Sequence, residues 1–201
     1  MLRDRIHKGL VAGVLAGMAI TFLVSPSAQA TNFSGITGLT GCNDLNQADN
    51  ANHGFNYVDL TSYMAAATDY ARTNAIDPTD VYTSIDPTPD EHTDVDVIDR
   101  YYVDYCGFSW YTPSTGGVIG AAKCDLLSST NRCDHHSVRY SNTWTDGAST
   151  TQRRWLACHE NGHALGLMHR SATDSCMPPS PPSSPSVVYS AHDIAHLNDA
   201  Y

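Results

Sequence analysis

His159-Glu160-Asn161-Gly162-His163-Ala164-Leu165-Gly166-Leu167-Met168-His169 reads H-E-x-x-H-x-x-G-x-x-H with every position filled. On a helix, residues four apart share one face, so His159 and His163 offer imidazole nitrogens to a single metal ion. Glu160 projects beside them, within reach of a water held at that ion. Gly166 is free to take the left-handed conformation that ends a helix and turns the chain back, which brings His169 round as a third ligand. Three nitrogen ligands leave a fourth position for water, the pattern of a catalytic rather than a structural zinc site. Soft and redox metals fit less well, because three imidazoles, an open position and an adjacent carboxylate suit zinc-assisted hydrolysis. The bland alternative is a helix whose histidines merely pack or face solvent, and it leaves the extended spacing unexplained.

The eleven-residue motif resembles the signature of the metzincin zinc endopeptidases. The resemblance implies a second hallmark, a methionine-containing turn beneath the metal. Met177 in Asp174-Ser175-Cys176-Met177-Pro178 lies eight residues past His169 and fits that role as a packing residue, not a ligand. Astacin-like and serralysin-like members carry a tyrosine two residues after the methionine. Here that position is Pro179, which disfavours those branches. The chain is most similar in kind to a small matrixin-like member. The resemblance implies one catalytic zinc held by His159, His163 and His169, Glu160 as general base, and a polypeptide substrate. The fold it implies is α+β, a twisted, mostly parallel sheet with an active-site helix, a Met-turn and a C-terminal helix.

The first thirty residues read as a secretory signal peptide. Arg3, Arg5 and Lys8 form a basic start, Gly9 to Val24 an apolar run, and Ala28-Gln29-Ala30 a cleavage site. The apolar run is short for a membrane span, so no stable membrane association is expected after cleavage. Residues 31–201 are then one metallopeptidase domain, secreted and monomeric, with 31–54 as an extended N-terminal segment. The first thirty residues carry three basic side chains and one acidic, so the rest holds 8 Lys+Arg against 20 Asp+Glu, a net charge of −12. Such a surface argues against nucleic acid as a partner. The many aspartates leave Ca2+ open as a further ion, but no spaced loop motif supports it.

All six cysteines lie after residue 30, and an even count in a secreted chain argues for three disulfides. Fifteen connectivities are possible. The layout favours Cys158–Cys176, tying the active-site helix to the methionine turn, with Cys124–Cys133 and Cys42–Cys106. A pro-segment role for Cys42 as a thiol cap on zinc is disfavoured, because Gly41-Cys42-Asn43-Asp44 lacks the matrixin switch motif.

Along the chain, Asp59 to Asn74 has helical spacing, with Leu60, Tyr63, Met64, Ala67, Tyr70 and Ala71 on one face. Val81 to Ile85 reads as a short strand, and Thr93 to Asp99 as a strand with one buried face. Gly117 to Ala122 is a short strand opening into the Cys124–Cys133 loop. By analogy with metzincins it is either the edge on which a peptide substrate adds as an extra strand or an ordinary internal strand. His135 and His136 are adjacent in a further strand and point to opposite faces, so they are assigned to solvent or the substrate rim. His53 reads as an ordinary surface or satisfied histidine. Asn142 to Ser149 reads as a loop, and Ser149-Thr150-Thr151-Gln152 as a capping box that starts the active-site helix. Pro178 to Ser186 is a proline-stiffened loop placed by analogy at the pocket for the residue after the scissile bond. His192 and His196 are four apart on a capped closing helix but lack a third ligand and a general base, so they read as a surface pair.

Three function classes compete. The first is a secreted zinc endopeptidase that hydrolyses peptide bonds with Glu160 as base. The second is a catalytically silent zinc-binding module, against which intact Glu160 counts. The third is a zinc hydrolase of a non-peptide bond.

Overall fold

The computed structural model describes residues 32–34, 42 and 46–201. The leader expected at 1–30 lies outside them. Five strands form one sheet in the order β2-β1-β3-β5-β4. They are β1 (Asn52–Val58), β2 (Tyr82–Ile85), β3 (Val95–Arg100), β4 (Gly120–Leu127) and β5 (Cys133–Ser141). The β1–β2, β1–β3 and β3–β5 pairs are parallel, and β4 alone runs antiparallel, against β5. The helices are α1 (Ser62–Ala71), the single turn α2 (Asn142–Thr145), α3 (Thr150–Ala164) and α4 (Ala191–Ala200). This is the α+β, mostly parallel architecture expected from the sequence. Among the described residues no helix is long and apolar enough to cross a membrane.

The helix read from Asp59 starts later, at Ser62, and Asp59 sits at φ 55 in the turn before it. Its N-terminus is satisfied from a distance. The Thr61 amide donates to both carboxylate oxygens of Asp99, at 3.1 and 3.0 Å. That bond satisfies the buried carboxylate of Asp99, which shares the inner face of β3 with Val95 and Val97. The helix buries Met64, Ala67 and Ala71 and continues as a wider turn over Arg72–Ile76. Trp155, Leu156, Tyr140 and Phe55 complete the core against it.

Several expectations need correcting. Residues 52–54, assigned to the extended segment, open β1, which pairs with two strands at once. The strand was hidden because Asn52, His53, Gly54 and Asn56 break the apolar pattern. The strand expected at Gly117 to Ala122 begins at Gly120 and runs through Cys124 to Leu127, so Cys124–Cys133 joins two paired strands. Asn142 to Thr145 is a helical turn rather than loop. His136 is buried, not at a rim, because β5 lies inside the sheet and His136 pairs with both Val95 and Cys124. His135 stays half-buried and meets Asp96 at 3.4 Å.

Burial gives a pH prediction. Desolvation pushes His53 down to about 4 and His136 to about 3. In the unfolded chain both titrate near 6.5. Below that value the unfolded state binds more protons than the folded one, so stability rises with pH across this window. Each group therefore contributes stability above pH 6.5 that is lost as pH falls towards 4 and 3, at roughly 1.4 kcal/mol per unit. Urea unfolding of the protein and of His53→Gln at pH 7 and 4.5 should show the smaller loss in the variant. Equal losses would contradict the assignment.

Candidate metal centre

The active-site helix α3 starts as the sequence indicates. Ser149 accepts from the Gln152 amide while the Gln152 side chain accepts from the Ser149 amide, which closes the capping box. The helix ends at Ala164, and Gly166 takes φ 93, in the left-handed region. The reversal brings His169 back over the helix. The Nε2 atoms of His159 and His163 stand 3.1 Å apart, and those of His159 and His169 also 3.1 Å. All three sequence-selected histidines therefore converge on one point.

The other ring nitrogens decide the protonation. His159 Nδ1 lies 2.8 Å from the Cys176 carbonyl, and His163 Nδ1 2.6 Å from the Leu167 carbonyl. A carbonyl only accepts, so each Nδ1 carries the proton and each Nε2 presents a lone pair. Two lone pairs facing each other at 3.1 Å repel unless a cation lies between them. Desolvation also depresses all three histidines, His159 well below the ordinary value, His163 to about 4, and His169 downward. Neutral imidazoles are what a metal needs. The donor set fits a divalent ion that prefers nitrogen, with a position left open to the cleft on the exposed His169 side.

Glu160 lies beside them, buried, and burial raises its carboxyl to about 8. A cation at the imidazoles acts in the opposite sense and favours the carboxylate. The Glu160 side chain is pressed against β4. A Cβ placed on Gly120 would lie 2.5 Å from Oε1 and 2.8 Å from Cδ and Cγ of Glu160. The sequence reading missed this role of Gly120, since a glycine at a strand start carries no local signal of a partner forty residues on. Gly120→Ala should displace the carboxylate and lower kcat/KM by roughly 10²-fold, with metal content unchanged. Activity within twofold of the parent would show that the carboxylate has room to move.

Met177 is fully buried below the helix. Its Sδ would lie 2.6 Å from a Cβ on Gly162, so Gly162 is what admits the methionine so close to the two helix histidines. The Cys158–Cys176 disulfide fixes the turn that carries Met177 to α3, and the Cys176 carbonyl orients His159. The other two bridges are Cys42–Cys106 and Cys124–Cys133, and among the described residues no cysteine is free. Cys42 is thus committed to Cys106.

The centre opens into a cavity of about 580 Å³. One wall is Gly117 to Ala122, including the start of β4 at the sheet edge. The other includes Pro179, Ser180 and Pro181, where the sequence placed the stiff loop. Tyr111 and Trp144 also line it.

A family model described as matrixin, a peptidase family, matches residues 63–201. The chain belongs to the matrixin family. By that membership it is a zinc metalloendopeptidase whose substrates are polypeptides. Among solved structures, the crystal structure of myroilysin is similar at 16% identity, covering 85% of this chain and 94% of that one, with a TM-score of 0.50. That likeness supports the fold of this matrixin domain. A search of curated proteins finds no match.

Proposed function

We propose that this matrixin is a secreted endopeptidase in which His159, His163 and His169 hold one zinc ion and Glu160 is the general base. The observation that carries the reading is the convergence of three Nε2 atoms beside a buried carboxylate, at the floor of a cleft bounded by a sheet edge. Zinc, when bound, supplies a Lewis acid that polarises the scissile carbonyl and acidifies water. The protein's own groups do the rest. The Cys176 and Leu167 carbonyls hold the imidazoles in the ligating tautomer. Glu160 takes a proton from the attacking water at its carboxylate and delivers it to the leaving amine. Val118 already pairs with Ser109 and Tyr111, so the outer edge of β4 from Gly120 would offer its backbone donors and acceptors to an extended peptide lying along Gly120 to Ala122 as a further strand. Met177 packs beneath the centre and does not ligate.

Residues 1–30 act as a secretory leader and 31–201 as one catalytic domain, working as a monomer outside the cell. The three disulfides support an oxidising destination. The test is hydrolysis of an unfolded protein by the secreted chain. Cleavage that a chelator stops and added zinc restores is the expected result. Zinc bound at one per chain with no cleavage of any of a panel of unfolded proteins would leave a binding module.

A further inference from the structure

We propose that His192 and His196 form a second metal site, on the outer face of α4, that takes an imidazole-preferring divalent ion such as zinc or copper. The two residues are four apart on a helix and so share a face. Their Nε2 atoms face each other at 3.2 Å, against 3.1 Å for His159 and His163. The rings repeat the same arrangement. Their centroids are 4.5 Å apart at 80°, against 4.6 Å at 84° in the α3 pair. A neutral N–H···N hydrogen bond would hold the rings this way, and so would a shared ion, as proposed for the α3 pair.

One ring is held by packing, and charges of both signs lie near it. Both side chains are half-buried, so an ion can reach them. Phe33 stacks on His196 with centroids 6.1 Å apart at 21°. Asp193 and Asp199 favour positive charge at His196, and Arg170 opposes it. The local sequence His192-Asp193-Ile194-Ala195-His196 even parallels the α3 motif, with aspartate in place of Glu160. Asp193 cannot serve as a base, however. It is fully buried, accepts from Asn32 at 2.8 Å and from the Ser190 amide at 2.9 Å, and lies 3.6 Å from Arg170. Among the described residues no third ligating side chain joins the pair. Solvent must complete the coordination, so the ion exchanges readily, and the site binds without catalysing. Two imidazoles should hold copper more tightly than zinc.

The test is equilibrium dialysis of the mature chain against zinc, using Glu160→Gln so that no extra ion can bridge at the cleft carboxylate. The comparison is with the same chain carrying His192→Gln and His196→Gln. The expected difference is one ion per chain, whatever the α3 histidines hold, and copper should displace that ion first. Zinc should also raise the Tm of the parent further than that of the double variant. Peptidase activity of the double variant with Glu160 restored reports that it folds. Equal ion counts in the two chains would overturn the proposal and leave a neutral N–H···N pair.

Discussion

Glu160→Gln is expected to lower kcat/KM by roughly 10⁴-fold, the upper range for loss of a general acid–base group. The glutamine keeps the size of the side chain packed against Gly120, so the β4 wall should stay in place. The three imidazoles are untouched, so zinc should remain at one per chain in the centre. Loss of turnover with metal retained separates the base from the ligands. If turnover instead fell in proportion to lost zinc, Glu160 would be a structural support of the ligand set.

His169→Ala is expected to remove activity by another route. His169 is the exposed member of the three, so its truncation should disturb the core little. It takes away one of the three imidazoles proposed to hold zinc, and zinc affinity should fall by more than the roughly 10–100-fold that losing a ligand's hydrogen-bond partner costs. Dialysis against a graded zinc buffer reads this directly. An unchanged affinity would mean that His159 and His163 hold the ion without it.

The site was legible in the sequence because its geometry is nearly local. Four-residue spacing puts His159 and His163 on one face, and a single left-handed glycine returns His169, so eleven residues fix which three imidazoles converge. Cys158 and Cys176 were readable as partners because each precedes a residue of the centre. The closing of the cleft was only half legible. Gly117 to Ala122 was marked as a strand that either edges the sheet or lies inside it, and the structure puts β4 at the edge. Nothing near Gly120 says that Glu160 lies against it, and nothing near Gly162 says that Met177 fills the space below. Both contacts depend on tertiary packing between distant elements.

The fold was less legible where polar residues are buried. β1 was missed because its inward positions include His53 and Asn56. A buried histidine looks like a surface one until its strand is placed. His136 was sent to the surface for the same reason, although its strand was recognised. Asp99 shares the face of Val95 and Val97, and its carboxylate accepts from Thr61, thirty-eight residues earlier, at the start of α1. Alternation reports which residues are apolar, and it cannot report which polar groups find partners inside.

Zinc K-edge X-ray absorption on the Glu160→Gln chain carrying His192→Gln and His196→Gln, loaded with one equivalent of zinc, reads the ligands of the α3 centre directly. Three imidazole nitrogens at about 2.0–2.1 Å and one oxygen, in four-fold coordination, are expected. Sulfur in the zinc environment, or fewer than three imidazoles, would contradict it.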